Sequence, residues 1–303
     1  MTRAPQVRFL ADGRRLHLQD GPIDLIVKAR GRAADMRAAY DAAMQRFSGL
    51  LDALCEELPH LRQAADPKRS PLKGAVARRM HAAVAPFAAD HFITPMAAVA
   101  GAVAEEILAA MLGNARLDRA YVNNGGDIAL HLADHEQFTV GLADRPNLPG
   151  LMRTMIVSCD DLTRGIATSG RHGRSFSLGI ADAVTVLALT ASQADAAATI
   201  IGNAVDLPGH SAIVRAPAHD LQPDSDLGPR LVTRGIGALS VVEVRRALEA
   251  GAGCARRLLA TGLIDGAALR LNGEVVMVGA RATGMPGVRT PDRSRASESA
   301  MHV

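Results

Sequence analysis

The sequence has no tryptophan, and only six phenylalanines and two tyrosines stand among its 303 residues. A row of aromatic faces for stacking single-stranded bases is therefore not expected. An excess of one charge is also missing. The 34 basic and 31 acidic residues leave a net +3, too little to hold a nucleic acid or an anionic membrane. Cysteine is scarce. Cys55, Cys159 and Cys254 are scattered without CxxC spacing, which reads as reduced thiols and argues against a disulfide frame or a zinc site. The opening MTRAPQVRFLADGRRLHL has no apolar run that would serve as a secretory signal, and no uninterrupted stretch of membrane-spanning length is seen. These absences predict a soluble cytoplasmic protein with no nucleic-acid and no membrane partner, and they leave room for a homo-oligomer.

What is present suffices for a large core: 48% of the residues are hydrophobic and 21% charged. No repeat or low-complexity linker divides the chain, so residues 1–281 are expected to form one α+β unit. Residues 282–303, rich in Ser, Thr, Pro and Arg, read as a disordered tail. Asp12-Gly13 and Asp20-Gly21 punctuate a strand-turn-strand opening. Met36, Tyr40, Met44, Phe47, Leu51 and Leu54 recur at helical spacing, predicting a helix over 33–57 that Pro59 ends. A polar loop over 63–74 and a helix over 75–89, bent late by Pro86, come next.

FITPMAAVAGAVAEEILAAMLGN follows, with Thr94 placed to cap, Pro95 at the first helical position and Gly113 or Asn114 to close. Its small residues suit a buried helix approached closely by a backbone or a ligand. Its N-terminus is also a seat for an anion, because unpaired N–H groups and the helix dipole coincide there. Six short strands then read from DRAYVNN to DAVTVLAL, followed by a helix over 192–204 and a loop to Pro229. A helix over 240–259 and a hairpin turning on Asn272-Gly273 complete the pattern.

Three clusters could carry chemistry. In YVNNGGDIAL, Asn123 to Asp127 lie between strands. The glycines allow close approach of a ligand to the backbone, and Asn-Gly between strands equally spells a hairpin turn. In GIATSGRHGRS, a strand runs into glycine amides, hydroxyls and the cations Arg171 and Arg174. That composition suits either a phosphate cradle or a solvated basic loop, and no Walker order is present. In ASQADAAATIIGNAV, Asp195 and Thr199 share a helix face and offer hard oxygen ligands for Mg²⁺, while Ser192 with Asp195 also spells a capping arrangement.

In this order the clusters resemble the ApbE flavin-transferase superfamily. Its members carry Asn-x-Gly-Gly-Asp, then Ala-Thr-Ser-Gly, then a Val-Thr-Val strand, then a helix with Asp-x-x-x-Thr. Here these are Asn123 to Asp127, Ala167 to Gly170, Val184 to Val186, and Asp195 with Thr199. The likeness to the transferases proper covers mainly residues 121–205. An uncharacterised cytoplasmic side branch is similar over most of 7–280, including RLHLQDGPIDLI and TPMAAVAG.

The resemblance implies an α+β, T-fold-related architecture, a mostly antiparallel sheet packed with helices, and a site for flavin adenine dinucleotide (FAD) with Mg²⁺. Carried over, Asp195, Thr199 and the backbone of Ala167 would hold the metal. Asn124, Gly125, Gly126, Asp127, Thr168, Ser169, Gly170 and Arg171 would hold the nucleotide. The implied reaction is at a phosphoanhydride, either transfer of flavin mononucleotide (FMN) to a protein acceptor or hydrolysis of FAD. The alternatives are a non-catalytic flavin carrier or sensor, and an enzyme acting on a pterin or purine-like heterocycle. One departure separates this chain from the transferases. Their His-Ile-x-Asp-Pro-x-Thr-Gly stretch, tied to catalysis and to gripping the dinucleotide, has no counterpart, for Ser177 to Asp182 leads straight into the next strand. The export signal and lipid-anchor cysteine common among transferases are not expected here either.

Overall fold

Turn chemistry organises the first strands of the computed structural model, which describes residues 4–145, 148–279 and 300–302. Asp12 Oδ1 accepts from the amides of Arg14 and Arg15 at 2.9 and 3.0 Å. That turn joins β1 (Gln6–Phe9) to β2 (Arg15–Asp20), and Gly21, at φ +53°, turns β2 into β3 (Ile23–Gly31). Helices α1 (Ala33–Phe47), α2 (Leu50–Glu56), α3 (Leu58–Leu61), α4 (Ala75–Val84) and α5 (Val99–Asn114) follow. Then come β4 (Leu117–Asn124), β5 (Asp127–Leu132), β6 (Gln137–Arg145), β7 (Leu148–Ser158), β8 (Gly165–Ser169) and β9 (Ala183–Ala188). The remainder is α6 (Ala191–Ala204), β10 (Ile213–Pro217), α7 (Ala218–Leu221), β11 (Leu231–Ile236), α8 (Val241–Ala260), β12 (Gly266–Leu271), β13 (Glu274–Val278) and β14 (Ala300–His302).

Nine strands form one sheet in the order β1-β2-β3-β4-β5-β8-β9-β12-β13, and every neighbouring pair is antiparallel. This is the α+β arrangement expected from the sequence pattern, with the mostly antiparallel sheet that the resemblance implies. One face alternates inward along β3 through Ile23, Leu25, Val27 and Ala29, and is covered by α1, α4 and α5. Further along the same face, α6 and α8 cover β9 and β12. The opposite face, carrying Tyr121, Ile128, Leu130 and Ile166, packs on Phe138, Val140 and Val157 of β6 and β7. Strand β14 lies parallel to β6. Of the tail read as disordered, residues 282–299 and 303 fall outside the described residues, and Ala300–His302 form β14.

The structure corrects several expectations. The helix expected over 33–57 divides at Gly49, whose φ of +73° cannot continue a right-handed helix, and Pro59 stands in the first turn of α3 instead of ending a helix. The periodicity hides the break because α1 and α2 bury their faces in the same cluster. The loop expected over 205–229 contains β10, which pairs with an unforeseen β11. Its local signal is weak because the hairpin is held by tertiary bonds: Thr233 N donates to Ser177 O and Thr233 Oγ1 to Gly179 O, both at 2.8 Å. The helix opening at Pro95 begins with a 3₁₀ turn, Pro95–Ala98, whose Met96 carbonyl takes the Val99 amide, so the amides that reach outside the helix are those of Ala100 and Gly101. The segment Pro95–Asn114 does reach the length and apolarity of a membrane span. Here it is a core helix, with Ala102, Val103, Ala104, Ile107 and Met111 fully buried against α1, α6 and β4.

Candidate functional site

Antiparallel order brings four connections to one end of the nine-stranded sheet: the β2–β3 turn, the β4–β5 turn, the segment between β8 and β9, and the β12–β13 turn. The Asn-Asn-Gly-Gly-Asp cluster is the second of these and is a true two-residue hairpin. Gly125 and Gly126 adopt φ of +66° and +115°, and Asn123 Oδ1 accepts from the Gly126 amide at 2.8 Å. The hairpin also aims side chains. Asn124 and Asp127 face each other across the ladder, both buried and both on the helix-covered side. Asn124 Nδ2 donates to Ala100 O at the start of α5 at 3.2 Å. The β5–β8 ladder stops at Ile128–Ile166, and beyond it the Thr168 amide donates to Asp127 Oδ1 at 3.1 Å.

Asp195 meets this cluster from α6. The cap of that helix is Thr190, whose Oγ1 accepts from the Gln193 amide at 3.3 Å. Ser192 lies inside the helix, its amide donating to Glu105 Oε1 at 2.6 Å. The capping arrangement of Ser192 with Asp195 is therefore not formed, and Asp195 projects from the second turn. Its Oδ2 accepts from the Gly101 amide at 3.1 Å, and the Ala100 amide also stabilises it. The anion seat expected at this helix N-terminus thus holds a carboxylate of the chain itself. The approach needs glycine, since a Cβ at Gly101 would lie 2.3 Å from Ala191 O.

Two carboxylates are thereby placed in one another's field. Burial raises the Asp127 carboxyl from 3.8 to about 7, against the opposing effects of the Thr168 amide and the Arg174 guanidinium. Burial also holds Asp195 well above the ordinary carboxylate range, and the charge of Asp127 adds to this despite the Gly101 and Ala100 amides. Burial is the main cause of both upward shifts, and the charge of Asp127 adds to the shift of Asp195. Among the described residues no group of three or more His, Cys, Asp or Glu side chains is placed to hold a metal. A cation would rest on carboxylate together with hydroxyl, carbonyl and water oxygens, the donor set Mg²⁺ accepts.

The remaining expected residues are distributed unevenly. Thr199 follows Asp195 by one turn on α6, and Ala167 is buried in β8 opposite Val186. Helix α6 runs along β8: a Cβ at Gly165 would lie 2.0 Å from the Thr190 carbonyl carbon, and one at Gly202 would lie 3.9 Å from Ser169 Oγ. Thr168 Oγ1 shares a 2.8 Å hydrogen bond with Thr185 Oγ1. Gly170, at φ +154°, passes so close to Asp182 that a Cβ would stand 2.5 Å from its carbonyl oxygen. Arg171 turns away from the carboxylate pair, binding Asp182 Oδ1 through Nε at 2.8 Å and Nη2 at 2.6 Å. Asp182 also accepts the Asn272 amide at 2.6 Å and has His172 Nε2 at 3.3 Å. The sequence reading passed over Glu105 and the amides of Ala100 and Gly101. Their available signal was Glu105 with Glu106 as the acidic pair of an otherwise apolar helix.

A family model described as AbpE bacteria matches residues 7–277. The chain belongs to this family. The AbpE bacteria match contains all three clusters, from Asn123 to Thr199. Among curated proteins, the chain is 37% identical over 183 residues to a UPF0280 protein of Methanopyrus kandleri, covering 59% of this chain and 69% of that protein. It is 40% identical over 118 residues to a UPF0280 protein of Methanothermobacter thermautotrophicus, covering 38% of this chain and 44% of that one. The chain thus spans less than half the length of the second relative. Among solved structures, it is similar to the apo form of the Pseudomonas stutzeri flavinyl transferase ApbE at a TM-score of 0.49 and 12% identity. That similarity covers 92% of this chain and 96% of the other.

Proposed function

We propose that this protein binds FAD with Mg²⁺ and acts at the phosphoanhydride, transferring FMN to a hydroxyl of an acceptor protein or hydrolysing FAD to its mononucleotides. The observation that carries this reading is the meeting of Asp127 and Asp195, both raised, at the N-terminus of α5. Asp195, Thr199 and the backbone of Ala167 would hold the metal. The hairpin residues Asn124, Gly125, Gly126 and Asp127, with Thr168, Ser169 and Gly170, would line the nucleotide. When bound, the cation offsets charge developing on the phosphates and orients them. The residues contribute by placement: Asn124 and Glu105 hold the hairpin and the start of α6 against α5, so Asp127 and Asp195 stay where the charge is needed. Arg171 contributes by bracing the loop through Asp182. Three free cysteines fit a reducing cytoplasm.

A second reading is a flavin carrier or sensor without turnover, supported by the fate of the segment that replaces the transferases' missing stretch. Its backbone is committed, with Leu178 N donating to Asn203 Oδ1 at 3.0 Å and Ile180 N to Val205 O at 2.8 Å. The deciding experiment titrates the protein with FAD with and without Mg²⁺, then resolves nucleotides by chromatography. Release of adenosine monophosphate supports the enzyme. Tight binding without products supports the carrier. Failure to bind FAD, or displacement of FAD by a pterin at lower concentration, rejects the flavin assignment.

A further inference from the structure

Two arginines follow Gly170, and the fold treats them differently. Arg171 is spent on Asp182, with two nitrogens on one carboxylate oxygen, and that carboxylate is further tied to the Asn272 amide. Arg174 instead reaches over the β4–β5 hairpin. Its Nη2 and Cζ lie 2.9 and 3.1 Å from where a Cβ on Gly125 would be, so a side chain at that position would push the guanidinium aside. Its Nη1 donates to Pro22 O of the β2–β3 turn at 3.1 Å. Among the described residues it has no carboxylate within ion-pair distance, yet it acts electrostatically on Asp127. The side chain is solvent-exposed. A guanidinium carries five N–H donors in a planar fork, and a single backbone carbonyl leaves most of them for another acceptor.

We infer that Arg174, and not Arg171, is the cation that grips the phosphates of the bound ligand, held in place by Gly125 and the Pro22 carbonyl. This rests on the reading of the site as a nucleotide-diphosphate site beside Asp127. Three connections at one end of the sheet thereby contribute: the β8–β9 segment supplies Arg174, Pro22 of the β2–β3 turn anchors it, and the β4–β5 hairpin makes room at Gly125 and sets Asp127 beside it. A second arginine already neutralised by Asp182 adds little at the ligand, because its charge and its fork are occupied.

The test is calorimetric titration of the full chain with FAD in Mg²⁺, comparing wild type, Arg174→Gln, Arg174→Lys and Arg171→Gln. Loss of a charge-assisted phosphate contact should weaken FAD binding about ten- to a hundredfold in Arg174→Gln. Arg174→Lys should recover part of that loss, and binding should depend less on salt in Arg174→Gln than in wild type. Arg171→Gln should keep its affinity within about threefold while its melting temperature falls. Wild-type affinity in Arg174→Gln, or an equal loss in Arg171→Gln with unchanged stability, overturns the inference. If wild type does not bind FAD, the flavin reading fails on its own, and magnesium pyrophosphate replaces FAD as the probe. Pyrophosphate binding lost in Arg174→Gln and kept in Arg171→Gln still supports the inference. Absent binding, or binding indifferent to Arg174, rejects it.

Discussion

The amide of Gly101 donates to Oδ2 of Asp195 at 3.1 Å, joining the first turn of α5 to the second turn of α6. The same glycine packs against the carbonyl of Ala191, so one residue sets both the helix spacing and the environment of the carboxylate. In an exposed helix, replacing glycine by alanine stabilises by up to about 1 kcal/mol. Here the sign should reverse. Gly101→Ala places a carbon 2.3 Å from a backbone oxygen, and overpacking of this kind costs about 1–3 kcal/mol. Urea denaturation should show that loss, together with weaker Mg²⁺-dependent binding. Wild-type stability would mean the helices do not approach this closely.

Asp195→Asn keeps the shape and can still accept from Gly101, but it removes one of two buried ionisable carboxyls that disfavour each other's charged form. The metal-free protein should melt no lower than wild type, because the cost of burying an ionisable group is gone. Added Mg²⁺ should no longer raise the melting temperature, and metal-dependent turnover should vanish. A wild-type Mg²⁺ response in the variant would sink the metal assignment.

The raised carboxyls give stability a definite pH sign. Asp127 rises from 3.8 to about 7 on folding, so between those values the folded state holds a proton that the unfolded state has released. This group therefore favours folding on the acid side, and its contribution is lost as pH rises through about 7. Asp195 acts in the same direction. Stability of the metal-free protein should decline from pH 5 to pH 8, and the decline should be smaller in Asp127→Asn. Protons compete with the cation at Asp195, whose carboxyl burial holds well above its ordinary range, so Mg²⁺ affinity should be weaker at pH 6 than at pH 8. Denaturation curves and magnesium titrations at these pH values check both statements.

Away from the site, Ser240 and Glu243 form a reciprocal capping box on α8, with Ser240 N donating to Glu243 Oε2 at 2.7 Å and Glu243 N to Ser240 Oγ at 3.3 Å. Ser240→Ala should cost about 1 kcal/mol and leave FAD affinity unchanged. Equal loss of affinity would show that α8 is energetically coupled to the ligand site.

Much of the site was legible because its residues are close in sequence and their chemistry is local. Asn123-Asn124-Gly125-Gly126-Asp127 dictates a two-residue turn whatever surrounds it, for both glycines adopt positive φ. Asp195 and Thr199 share a face because a helix repeats every 3.6 residues. The strands and the hairpin at Asn272-Gly273 follow from alternation and turn residues in the same way.

Other features depended on contacts between residues far apart in the chain. Whether Asp195 caps α6 or projects into a site was decided by Thr190 taking the cap and by α5 arriving 94 positions earlier with two free amides. Which arginine is neutralised was decided by Asp182, itself held by the β12–β13 turn. The β10–β11 hairpin exists because Ser177 and Gly179 accept its bonds. The amino-acid sequence by itself determined the turns, the helix faces and the order of the three clusters, since each depends on neighbours a few residues away. Only the tertiary structure decided how Asp127 and Asp195 share one field and where Arg171 and Arg174 point. Those depend on distances between segments that no local spacing encodes.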